Sequence, residues 1–107
     1  MRKMVIRYRT KPERAEENAR LIRRVFEELQ AKAPRGLGYL ALDLGDGNFL
    51  HFVMEENELN PGAITRLEAF QHFRAGIAER CLEPPKSSEV TIIGEYGMLA
   101  PSQAVTA

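Results

Sequence analysis

Few side chains in this 107-residue sequence can do chemistry: it has two histidines, one cysteine and no tryptophan. His51 lies inside an apolar run, and a hairpin would set it beside Tyr39 and Asp43. An imidazole next to a phenol and a carboxylate is a general-base arrangement. The same group also fits an interface histidine satisfied by hydrogen bonds. Asn18 and Arg74 interrupt the apolar stripes of two helical patterns. A buried amide or guanidinium must find a partner, and a ligand's carboxylate or phenolate is one candidate. The other reading for Asn18 is a partner within the fold. For Arg74 it is a stem laid over the core with its head in water. His51 and Tyr39 are therefore the candidate catalytic residues, and Asn18 and Arg74 the candidate substrate-binding residues.

Other chemistries find little support. His72 falls on the polar side of its helix pattern, and neither histidine has a cysteine or carboxylate at ligand spacing. No metal and no cofactor is expected. Cys81 reads as a small core residue near a helix C-terminus, where the dipole does not activate a thiol. Gly36-Leu37-Gly38 precedes a strand instead of opening a helix, so it is no phosphate loop. No serine nucleophile elbow occurs. The run Phe49-Leu50-His51-Phe52-Val53-Met54-Glu55 matches the RNA-recognition signature only at Phe52-Val53, and the net charge is zero. Nucleic acid is not an expected partner. Basic residues concentrate in the first third, but Glu16, Glu17, Glu27 and Glu28 are spaced among them as on a solvated helix face.

The elements that must position these residues follow from periodicity. An apolar strand pattern at 4–8 leads to Thr10-Lys11-Pro12-Glu13, which reads as a capping box. Ala15, Ala19, Ile22, Val25, Phe26, Leu29 and Ala33 then form one helical stripe that stops at Pro34. Strands are predicted over 37–44 and 48–56, joined at Gly45-Asp46-Gly47-Asn48. A three-residue loop is preferred to a two-residue one, which would mix the two faces differently. It puts Leu40, Leu42, Leu44, Leu50, Phe52 and Met54 on one face, toward the helices, and Tyr39, Ala41, Asp43, Phe49, His51 and Val53 on the other. A loop over 57–64 precedes a second capping box, Thr65–Glu68, and a helix to about Leu82 stopped by Pro84-Pro85. The last strand is predicted at 90–96, where Glu95 would neighbour Arg7.

This βαββαβ order implies a single ferredoxin-like α+β domain over 1–97 and a tail at 98–107. The sheet should be four-stranded and antiparallel in the order 4-1-3-2, with both helices on one face. Val5, Arg7, Thr91, Ile93 and Glu95, with the Tyr39/His51 set, would lie on the other. So apolar a bare face is expected to be buried against a second copy. No apolar run is long enough to span a membrane, the N-terminus is too charged for a signal peptide, and one cysteine suits a reducing cytoplasm.

Ala69-Phe70-Gln71-His72-Phe73, then Arg80-Cys81, Pro84-Pro85 and Gly94-Glu95-Tyr96, within this order of elements, resemble the dimeric α/β-barrel superfamily. The likeness is to small domains similar to the antibiotic biosynthesis monooxygenases and covers about residues 3–97. It implies a homodimer in which two sheets face each other as a barrel, with ligands held between sheet and helices. Members similar to the monooxygenases oxidise aromatic, polyketide-like compounds with oxygen and neither metal nor flavin. A Trp and an Asn commonly line those sites, and this chain has no Trp. The expected function is thus a cofactor-independent monooxygenase or isomerase acting on a small aromatic or hydroxylated compound. The alternative is a non-catalytic ligand-binding or structural homodimer.

Overall fold

A computed structural model of the chain describes residues 1–56 and 62–98. The loop expected over 57–64 and the tail over 98–107 lie largely outside them. Strand β1 (Arg2–Thr10) is followed by a short 3-10 turn and helix α1 (Ala15–Lys32). Strands β2 (Leu37–Gly45) and β3 (Asn48–Glu55) form a hairpin. Helix α2 (Glu68–Ala75), a single helical turn α3 (Ile77–Arg80) and strand β4 (Cys81–Glu89) follow. The strands pair antiparallel in the order β2-β3-β1-β4, the ferredoxin-like order expected. The helices cover one face, over a core of Tyr8, Ile22, Val25, Phe49, Leu67 and Phe73.

The sheet does not close. Among the described residues β2 and β4 are its free edges, so the expected dimeric α/β barrel is corrected to an open four-stranded layer. Closing a sheet on itself takes about eight strands, because each adds only a modest twist.

The hairpin also corrects an expectation. The loop is two residues, Asp46-Gly47, both at positive φ (55° and 80°), as the tightest hairpin turns require. A register shift between Asp43 and Gly45 supplies the extra residue, so the two side-chain sets still segregate as a three-residue loop would arrange them. Their orientation is reversed: Phe49 and His51 are buried beneath the helices, while Leu40, Leu42 and Leu44 are 41–50% exposed. Gly47 is required for a second reason, since a Cβ there would lie 2.6 Å from the Thr10 carbonyl oxygen.

Neither capping box forms. Thr10 is fully buried and its hydroxyl donates to the Gly47 carbonyl at 3.3 Å. Thr65 turns back to Gly62. Helix α2 is capped across the fold instead: the Glu28 carboxylate of α1 accepts from the amides of Glu68 (3.3 Å) and Ala69 (2.8 Å) and pairs with Lys32. These contacts hold Glu28 below the usual carboxylate range, the Lys32 bond first among them.

The second helix ends well before Leu82. Gly76 interrupts it, and the last strand begins at Cys81 instead of Val90. Pro84 and Pro85 thus sit in a strand, which is tolerated because β4 is an edge. They fall where its pairing with β1 slips, between Arg7↔Lys86 and Arg9↔Glu83. Arg7 lies opposite Leu50 and Lys86, not beside Glu95. Ile93 and Tyr96 are solvent-exposed outside the sheet.

Candidate functional site

The sheet's register sets the site in rungs. Met4, Val53 and Tyr39 share one, and Ile6, His51 and Ala41 the next. Alternation then puts Ile6, Tyr8, Tyr39, His51 and Val53 on the face beneath the helices. The expected company of His51 is half right. Tyr39 reaches it, but Asp43 is one rung beyond, opposite Phe49, and its carboxylate accepts the Gly45 amide at 2.9 Å.

His51 is 3% exposed and clamped between two phenols. Its Nε2 lies 2.8 Å from the Tyr8 hydroxyl and its Nδ1 2.6 Å from that of Tyr39. From Tyr8 the chain of bonds runs on: Asn18 Nδ2 donates to the Tyr8 hydroxyl at 2.9 Å, and Arg80 Nε donates to Asn18 Oδ1 at 3.1 Å. Arg80 also donates to the Phe73 carbonyl, and its guanidinium lies 5.3 Å from the Phe73 ring centroid. Arg80 is 2% exposed, and among the described residues no carboxylate comes within 4 Å of its guanidinium, although Glu17 attracts it from farther off. The line Tyr39–His51–Tyr8–Asn18–Arg80 crosses the core from β2 to α3. Among the described residues, no buried side-chain polar atom lacks a partner.

Burial governs the titration of this line. It pushes the His51 imidazole down to about 4, and it raises both phenols well above their usual value. His51 is therefore neutral at physiological pH. Its folded-state pKa lies below its unfolded one, so its contribution to stability is complete above pH ~6.5 and is lost as pH falls toward 4. That lowering corresponds to about 3 kcal/mol. An NMR titration is expected to find one histidine that stays neutral to about pH 4, with unfolding free energy declining over the same interval.

Beside this line a cavity of about 640 Å³ opens between α2 and the sheet. Met4, Ile6, Val53, Ile64, Phe70 and Phe73 form much of its wall, and Tyr8, Tyr39 and His51 also line it. Arg2, Arg74 and Glu55 also border it. Arg74 is exposed, with its guanidinium 6.0 Å from the Phe70 centroid. Asn18 does not border the cavity; its partners are Tyr8 and Arg80. Sequence reasoning missed Tyr8 and Arg80. The signals were present: Tyr8 alternates with Ile6 and Thr10, and Arg80 follows Phe73 and Ile77 at helical spacing. Cys81 is half-buried at the start of β4, and burial raises its thiol pKa, so the thiol is not activated. Among the described residues no cluster suits a metal ion, and no helix is long and apolar enough to cross a membrane.

No family model matches the chain, and no curated protein matches it. Solved structures do match in fold. An antibiotic biosynthesis monooxygenase superposes with a TM-score of 0.69 at 15% identity, over 88% of this chain and 100% of its own. A protein of unknown function from Nitrosomonas europaea gives 0.67 at 18% identity, over 89% and 91%. A conserved protein from Methanosarcina mazei Go1 gives 0.67 at 16%, over 83% and 89%. At these identities the likeness is one of fold.

Proposed function

We propose that this chain binds a small aromatic or hydroxylated compound in the cavity under α2 and acts on it without a cofactor, as a monooxygenase-like enzyme or isomerase. The observation that carries this reading is the Tyr39–His51–Tyr8 line bordering a largely apolar cavity of about 640 Å³. Such a pocket, with few polar groups converging on one spot, suits an apolar ring bearing one oxygen. Tyr39, backed by His51, meets that oxygen, and Arg74 at the border orients an anionic substituent. Asn18 serves through Tyr8. If the ring can enolise, a hydrogen bond to its oxygen stabilises the charge that develops as the neighbouring C–H proton passes to water. The enolate is then reprotonated at another carbon, or its carbon bonds dioxygen, the oxidant, and takes up a proton as a hydroperoxide, which loses water to leave one oxygen as a new carbonyl. The likeness in fold to an antibiotic biosynthesis monooxygenase supports this reading.

The protein works as a homodimer, because the sheet face away from the helices carries Leu40, Leu42 and Leu44 exposed beside Leu50, Phe52 and Met54. One free cysteine suits it to a reducing cytoplasm. A second reading is a non-catalytic binding homodimer. The neutral His51, with both ring nitrogens held by phenols, favours binding over proton transfer.

Native mass spectrometry of the purified protein, followed by oxygen-consumption assays on the compound retained, separates the two. Enzymatic turnover is expected to fall about 100-fold in Tyr39→Phe. Turnover unchanged in both Tyr39→Phe and His51→Ala rejects the proposed chemistry. A retained compound that is never converted supports the binding reading.

A further inference from the structure

The hydrogen-bonded line has a direction, and the residue that sets it is the one farthest from the cavity. Arginine has only donors. Arg80 therefore fixes Asn18 Oδ1 as acceptor and turns Asn18 Nδ2 toward the Tyr8 oxygen. Tyr8 is 5% exposed, and its hydroxyl has two partners, Asn18 and His51. Since Asn18 donates to it, the Tyr8 proton must go to His51 Nε2, or a buried donor is left unpaired. A neutral imidazole with an accepting Nε2 carries its proton on Nδ1. Nδ1–H then donates to the Tyr39 oxygen, and the Tyr39 proton is left for whatever occupies the cavity.

From this polarity we infer that the site takes a ligand presenting an acceptor oxygen, a ketone, quinone or enolate, over the matching alcohol or phenol. Arg80 and Asn18 act as positioning residues for that choice, through Tyr8 and His51. The inference rests on the cavity being a small-molecule site and narrows its ligand. A hydroxyl can accept from Tyr39 through a lone pair, but its own proton then needs a second acceptor, which the Met4, Ile6, Val53 and Phe70 side chains of the lining cannot supply.

Asn18→Asp is the informative variant. It is isosteric and gives Arg80 a carboxylate. It also accepts where Asn18 Nδ2 donated. Tyr8 then donates to residue 18, His51 Nε2–H donates to Tyr8, and Nδ1 accepts from Tyr39. The Tyr39 oxygen is left facing the cavity as an acceptor.

The experiment reads the His51 ring nitrogens by ¹⁵N NMR in the full chain and titrates 9-fluorenone and 9-hydroxyfluorene as probes. The wild type is expected to show Nδ1–H and to bind the ketone at least about tenfold more tightly than the alcohol. Asn18→Asp is expected to show Nε2–H and to lose or reverse that preference. An Nε2–H tautomer in the wild type overturns the proposal without any variant or ligand. An unchanged tautomer in folded Asn18→Asp overturns the role of Asn18 and Arg80. Equal affinity for both probes, with the expected tautomer, overturns the ligand class. Binding of neither probe, with the expected tautomer, overturns the cavity as the ligand site.

Discussion

Replacing Arg80 with methionine is expected to cost the fold about 2–4 kcal/mol. Two acceptors lose their donor, Asn18 Oδ1 and the Phe73 carbonyl oxygen. Each costs about 1–3 kcal/mol when left buried and unpaired. Against this stands the relief of no longer burying a charge that no carboxylate touches and that Glu17 offsets only from a distance, so the net effect is smaller than the sum. A domain of this size holds about 5–15 kcal/mol in all, so urea denaturation resolves the change easily. Arg80→Lys is expected to recover only part of it, because one ammonium on a flexible stem cannot reproduce the planar fork that reaches both acceptors. The double variant Asn18→Leu/Arg80→Met is expected to cost less than the two singles together, since each removes a partner of the other. A loss under about 0.5 kcal/mol in Arg80→Met would show that water or rearranged side chains satisfy both oxygens.

Leu42→Glu is expected to convert the homodimer proposed above into single chains of 12.1 kDa. Leu42 is 41% exposed on the face away from the helices, opposite Leu50 and two residues from Leu40 and Leu44. A two-fold axis duplicates every substitution, so one change puts two carboxylates into the same apolar contact. Removing them from water without partners is costly enough to weaken association by about 100-fold or more. Sedimentation or native mass spectrometry across a dilution series reads the shift. The folded protomer should lose little, because Leu42 does not belong to the buried core. A wild-type chain that stays single at high concentration, with this leucine face in water, removes the dimer.

What was legible in the sequence differs from element to element. The βαββαβ order, the stripe of α1 and the Asp46-Gly47 turn each rest on a local signal, and the strand order follows from them. The facing of the hairpin was not local. The Leu40/Leu42/Leu50/Phe52/Met54 set is the more apolar one and reads as the side for the helices. The helices in fact cover the set containing Tyr39 and His51, because its polar atoms satisfy one another and those of Tyr8, Asn18 and Arg80. A network closed by residues 62 positions apart leaves no periodic trace. The Asn18 reading as a residue partnered within the fold matches its contacts. The end of the second helix differs for a simpler reason: Pro84-Pro85 reads as its stop, but an edge strand accepts both prolines and Gly76 has already broken the helix.

Pro84-Pro85 also matters to the world outside the domain. Successive strand residues aim their amides alternately inward and outward, so one proline explains the slip against β1 and the other erases a donor from the outer rim. A foreign strand arriving there finds an incomplete template. Stacking of chains into fibrils by rim-to-rim growth would have to begin at β2, whose nine residues include no proline.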